Sequence, residues 1–204
     1  MSRPPLTPAS VVSDAAQLAD QVGLDAVTLS AVATRLGVRT PSLYSHVRDL
    51  SALRDGVTAL ALQELADRIS AEIAGRSGRI ALVGFARAHR EFARSHPGRW
   101  QALQRRAGAD AVLSPSARNL VALNKAVLAG YGLDDSVSVH AIRLVGSTIN
   151  GFLNLERVGN FDHSTPAAEE SWDVAIDALD GILSTWPTSA DHPDHPDHSQ
   201  GTPS

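Results

Sequence analysis

Residues 27 to 53 read VTLSAVATRLGVRTPSLYSHVRDLSAL, and this stretch decides the fold. Thr28 is placed to cap a short helix, Val27 and Val32 are spaced as a hydrophobic staple around it, and Gly37 supplies the left-handed exit. Thr40 followed by Pro41 then opens a second short helix that ends near Val47, because proline at a first helical position forfeits no hydrogen bond. Two such short helices joined through Leu36-Gly37-Val38 bury too little to form a core element on their own. They suit a helix-turn-helix, in which the first helix spans the DNA backbone and the second projects its N-terminal residues into the major groove. Val32, Leu36, Val38 and Leu43 fasten the pair to the preceding helix, and Ala33 lets the helices approach closely. What remains outside is Thr40, Pro41, Ser42, Tyr44, Ser45 and His46, flanked by Arg39 and Arg48. Hydroxyl, imidazole and guanidinium groups donate to phosphates and base edges, and threonine and proline carbons touch thymine methyls.

Working outward, the periodicity is helical on both sides of this motif and no stretch alternates as a strand does. A helix is predicted over Ala9 to Val22, and a long one over Ser51 to Ala74 with Leu53, Val57, Leu60, Leu65, Ile69 and Ile73 inward. Ser77 to Ser95 follows, with Leu82, Phe85, His89, Phe92 and His96 on one stripe and Arg87, Arg90 and Arg94 on another. A short helix holds Trp100 and Leu103, Ser114-Pro115 opens the next up to Gly130, and Asp135 to Val158 is apolar on more than one side. The last helix is expected to open at Thr165-Pro166, to carry Glu169 and Glu170 in its first turn, and to bury Trp172, Ile176, Leu179 and Leu183. The reading is an all-α chain of about nine helices: a helix-turn-helix domain over 1–50, a helical ligand-binding and dimerisation domain over 51–187, and a tail over 188–204 too poor in apolar residues to order itself.

The 204 residues are 43% apolar and 20% charged, ordinary for a folded chain. No apolar run reaches the length of a membrane span and the N-terminus lacks a secretory pattern, which predicts a cytoplasmic protein without a membrane partner. The absence of cysteine excludes disulfides, thiolate metal sites and a cysteine nucleophile. A net charge of -4 conceals asymmetry: residues 76–106 carry eight basic side chains against one acidic, and residues 107–204 four against thirteen. Charge acts over about 10 Å at ordinary salt, so the overall sign does not exclude DNA.

The quoted stretch resembles the DNA-binding domain of the tetracycline-repressor (TetR) family of bacterial transcription regulators, in its hydrophobic-Thr start, Ala-x-x-Leu-Gly-Val and Leu-Tyr-x-His. The resemblance implies that Thr40, Pro41 and Ser42 face bases, with Arg39 and Ser45 nearby, and that Thr28, Tyr44 and His46 hold phosphates. Leu50 stands where many members place a phosphate-contacting lysine, so that contact either passes to Arg48 or is missing. Ser30 stands where the tetracycline repressor itself has a base-reading arginine, so its operator does not transfer. Gly151-Phe152-Leu153, Leu155-Glu156 and Gly159-Asn160-Phe161 resemble a subgroup named for a Trp-His-Gly signature, with Asn150 in place of its histidine. Together these imply a repressor that binds a palindromic operator in double-stranded DNA as a homodimer and is released by a small-molecule effector.

The two-sided apolarity of the last two helices predicts that Ile142, Val145, Ile149, Trp172, Ile176, Leu179 and Leu183 face a second copy in a four-helix bundle. Phe85, His89, Phe92, Trp100, His140, Asn150 and Asn154 are candidates to line an effector pocket. Arg87, Arg90 and Arg94 read as the solvated face of an amphipathic helix. The tail motif DHPDHPDH has metal-binding residue types but no scaffold, so no metal and no cofactor are predicted. No nucleophile sits beside a base and no phosphate-cradling glycine loop occurs, which argues against an enzyme. The competing reading is a helical binding or interaction protein that kept the motif and lost operator recognition.

Overall fold

The computed structural model describes residues 5–105, 113–133 and 135–187. The expected histidine-rich tail falls outside them. Among the described residues all regular structure is helical: α1 (Pro8–Val22), α2 (Leu29–Leu36), α3 (Leu50–Ile73), α4 (Gly78–Ser95), α5 (Pro97–Leu103), α6 (Pro115–Ala129), α7 (Asp135–Arg157) and α8 (Ala168–Ser184), with 3-10 helices at Leu24–Ala26 and Thr40–Ser45.

Local chemistry sets the boundaries. Thr7 and Ser10 cap α1 reciprocally ahead of Pro8, the Thr28 hydroxyl accepts from the Ala31 amide at the start of α2, and the Ser114 hydroxyl accepts from the Ala117 amide ahead of Pro115. Gly37 closes α2 at φ 60°, ψ 35°, a left-handed conformation that a β-carbon would strain. Asp49 caps α3, so that helix begins one residue before the predicted Ser51. α8 starts at Ala168 rather than at the predicted Thr165-Pro166, because Ala167 is still extended at φ -60°, ψ 151°.

The second helix of the motif departs most from expectation. Thr40–Ser45 winds as a 3-10 helix, with the Ser42 amide bonded to the Arg39 carbonyl at 2.9 Å and the His46 amide to the Leu43 carbonyl at 2.8 Å. Pro41 has no N–H to offer, and the Ser45 hydroxyl donates back to the Ser42 carbonyl at 2.8 Å, which favours the tighter winding.

Two buried clusters result. One joins α1, α2, the 3-10 helix and the start of α3 through Val11, Leu24, Val32, Leu43 and Leu53. The other joins α3 to α8 through Leu65, Ile69, Phe85, Phe92, Trp100, Ile149, Trp172 and Leu183. α3 runs through both, giving Leu53 and Val57 to the first and Leu65, Ile69 and Ile73 to the second. At 24 residues it extends about 36 Å, enough to span the two clusters.

The second cluster corrects the expected subunit interface. Within a single chain Val145 is 3% exposed, Ile149 1%, Trp172 6%, Ile176 4%, Leu179 2% and Leu183 1%, and Ile142 is half-buried against the same core. Six of these seven side chains are buried by their own protomer and Ile142 is partly so. On α8 the physical reason is that it carries two apolar stripes and the bulkier one packs inward, where Val145 and Ile149 of α7 join the same core.

Candidate nucleic-acid interface

The motif holds its polar residues outward by sinking a few apolar ones. Leu43 is fully buried and Val47 nearly so, while Pro41, Ser42, Tyr44 and Ser45 are exposed and Thr40 and His46 are half-exposed. Tyr44 is 57% exposed, a large ring offered to solvent. Arg39 and Arg48 flank this surface, both exposed. The DNA-contact candidates therefore lie on one short exposed segment, joined by Thr28, whose hydroxyl oxygen accepts from Ala31 and keeps its proton available for a phosphate.

One acid lies beside that segment, and it pairs with one of the two flanking cations. Arg48 bonds the Asp49 carboxylate at 2.9 Å, and the same carboxylate accepts from the Ala52 amide at 2.8 Å. These bonds, that of Ala52 foremost, hold Asp49 below the ordinary carboxylate pKa. Arg35, by contrast, is spent internally, tying α2 to Asp14 and Gln21 of α1. Arg54 of α3 reaches back to the carbonyls of Asp25 and Val27 and fixes the entry to α2. Leu50, at the position noted for a missing lysine, is half-buried and packs on the first cluster.

The pocket candidates divide. Phe85, His89, Phe92 and Trp100 are buried together, with the rings of Phe85 and His89 4.4 Å apart and those of His89 and Trp100 6.3 Å apart, edge-on. Trp100 Nε1 donates to Asn154 Oδ1 at 3.3 Å, and Gln104 links Asn150 and Asn154 at 2.9 and 3.2 Å. Gln104 is a member of this polar group that sequence reasoning missed. His140 does not join it: it is exposed and stands ten residues, about 15 Å, back along α7 from Asn150.

The arginine stripe is not uniformly solvated. Arg87 and Arg94 are half-exposed, but Arg90 is 4% exposed, stacked 4.9 Å over Trp172 and bonded to Glu156 at 2.6 Å and Glu169 at 2.9 Å. Burial alone would raise the Glu156 pKa, yet the bonds from Arg90 and Arg94 bring it below the usual value. A cleft of about 550 Å³ lies beside this group, between α4 and α8, and is lined by as many carboxylates as guanidiniums.

Comparison with known proteins decides the assignment. Residues 11–49 match the model for bacterial regulatory proteins of the tetR family, and residues 82–179 match that for the tetracyclin repressor-like C-terminal domain. An HTH-type transcriptional regulator of Mycobacterium tuberculosis is 36% identical over 155 residues, 75% of this chain and 71% of the relative. The chain belongs to the TetR family. It is a DNA-binding transcriptional regulator. An HTH-type regulator of Bacillus subtilis is 29% identical over 147 residues, 72% of this chain and 77% of the relative. Among solved structures, BioQ of Mycobacterium smegmatis superposes with a TM-score of 0.67 at 20% identity, covering 88% of this chain and 98% of that one. ActR, a TetR family protein of Streptomyces coelicolor solved with (S)-DNPA, gives 0.64 at 17% identity, covering 89% and 98%. At those identities the likeness establishes the TetR fold, a helix-turn-helix head on a helical body.

Proposed function

We propose that this TetR-family chain is a repressor that binds a palindromic operator as a homodimer and is released when a small molecule enters its helical body. The observation that carries the reading is the exposed segment Thr40 to Arg48; within it Thr40, Pro41 and Ser42 are assigned to bases and Tyr44, His46 and Arg48 to phosphates, and Thr28, the cap of α2, is assigned to a phosphate as well. Arg39 and Ser45 complete the contact set. It is a regulator rather than an enzyme, and acts in the cytoplasm beside the chromosome. Residues 1–50 form the DNA-binding unit, 51–187 the effector-binding and dimerising unit, and 188–204 a tail.

Two heads must enter successive major grooves, so the dimer sets their spacing at about 34 to 36 Å. The surface for that second copy is the outer stripe of α8: Val174 is 68% exposed, Ile182 45%, and Ala178 and Gly181 between them are exposed. This replaces the inward stripe that the sequence suggested. Effector contacts are assigned to Trp100, Asn150 and Asn154, joined by Gln104, over the ring stack of Phe85 and His89. The Trp-His-Gly subgroup remains the finer assignment, supported by Gly151 to Glu156 and weakened by Asn150.

Binding of a duplex taken from the DNA flanking its own gene tests the reading. Tyr44→Phe and His46→Ala should each weaken binding to all sequences alike, whereas Arg48→Ala should also lower the log-log salt slope by about 0.9, because only the loss of a cation releases one counterion fewer. Wild-type affinity in the Tyr44 and His46 variants would remove those residues from the phosphate contacts.

A further inference from the structure

The α1–α5 seam is a close joint between the two buried clusters. Gly98 lies so close to α1 that a β-carbon there would come within 2.0 Å of the Ala19 carbonyl carbon, which only glycine tolerates. At that point one Asp20 carboxylate oxygen accepts from both the Gly98 and Arg99 amides, each at 3.0 Å, satisfying the free N–H groups at the start of α5. The other oxygen lies 3.3 Å from the Arg99 guanidinium and 3.6 Å from His96 Nδ1. Arg68 of α3 donates to His96 Nε2 at 2.9 Å, which leaves the His96 proton on Nδ1, toward Asp20. Two residues beyond Arg99, the Gln101 side chain accepts from the Leu24 amide at 2.9 Å, where α1 has just ended.

The same short helix faces the other way through Trp100 and, just past its end, Gln104, bonded to Asn154 and Asn150 of α7. α5 is thus held on α1 by one set of bonds and on the polar group of the body by another. A seven-residue helix gripped at both faces cannot shift on one without loading the other. On the other side, α1 packs on α2 and, through the first cluster, on Leu43 of the DNA-facing segment.

We propose that Asp20 is a positioning residue for operator control: its cap on α5 locks the orientation of the helix-turn-helix to the polar group at Trp100, Gln104, Asn150 and Asn154. This rests on the regulator reading above. Coupling between two sites is reciprocal, so DNA at the head must be felt at α5 even when the effector is unidentified. Amide hydrogen exchange of residues 97–105, with and without the flanking-DNA duplex, reads this directly. In the wild-type protein the duplex should slow exchange there about tenfold, the size of a typical coupling.

Asp20→Ala should still bind the duplex but lose that slowing. Asp20→Asn, which keeps an acceptor for the two amides, should restore it, an outcome a general loss of packing would not give. A Trp172→Phe/Trp186→Phe background leaves Trp100 as the remaining indole. In that background its emission should shift on DNA binding with Asp20 intact or replaced as Asp20→Asn, and stay fixed with Asp20→Ala. If Asp20→Ala does not fold, the wild-type exchange and emission decide alone: DNA binding without a response at residues 97–105 overturns the proposal. A wild-type chain that binds no such duplex would sink the regulator reading, and this inference with it. An Asp20→Ala protein that keeps the full response would sink the clamp only.

Discussion

His89 lies 7% exposed on the apolar stripe of α4, and its Nδ1–H donates to the Phe85 carbonyl at 2.8 Å. Burial pushes its pKa from 6.5 down to about 4, against a smaller opposing effect of that bond. The folded protein therefore refuses a proton that the unfolded chain accepts between pH 6.5 and 4. Stability is complete above that window and falls as the pH drops through it, by up to about 3 kcal/mol. His89→Leu, which leaves the Phe85 carbonyl its helical bond, should flatten this dependence relative to wild type; denaturant midpoints at pH 7.5 and 4.5 measure it. An unchanged slope would mean that His89 is protonated in the folded state. The burial of His89 was legible from its spacing with Phe85 and Phe92. That of Arg90 was not, because a stripe of three arginines reads as solvated until the position of α8 is known, and α8 lies far along the chain.

At the scale of elements, the Arg90 group binds three helices: α4 through Arg90 and Arg94, α7 through Glu156, and α8 through Glu169. The members differ in weight. Glu156 is 18% exposed and shares its carboxylate with a buried guanidinium, whereas Glu169 is 64% exposed. Glu156→Gln should cost about 3 kcal/mol, the lower end of what removing one partner from a buried pair costs, since Glu169 still serves Arg90. Glu169→Gln should cost under about 1 kcal/mol, as for a screened surface pair. Urea unfolding of the two variants checks the order; equal losses would show that Arg90 does not depend on its buried partner. The element boundaries were mostly legible because Thr, Ser, Asp, Pro and Gly mark caps locally. The winding of Thr40–Ser45 was not, because periodicity barely separates 3-10 from α over six residues. The Asp20 seam was invisible for another reason: its partners lie 78 and 79 positions away, and no local pattern announces a long-range cap.

For the whole molecule, helix count and the division of labour between head and body followed from pattern, but the choice between two apolar stripes on α8 did not. Trp172, Ile176, Leu179 and Leu183 recur on one side, and Val174, Ala178 and Ile182 recur on another. Pattern alone says that both must be covered, not by what. Volume decides: the first stripe fills the core of its own chain, which leaves the second, with Val174 68% and Ile182 45% exposed, as the surface proposed for a second copy. The two assignments predict opposite failures. Val174→Glu with Ile182→Glu should leave the unfolding midpoint of the protomer nearly unchanged and produce monomers by light scattering. Operator affinity should collapse with it, because two heads at about 34 to 36 Å bind as a pair only while something fixes their spacing. Ile176→Asp should instead unfold the chain, since it places an unpaired carboxylate in a core position that is 4% exposed. A stable dimer carrying both glutamates would show that another face holds the subunits together, and the spacing argument would then have to be rebuilt on that face.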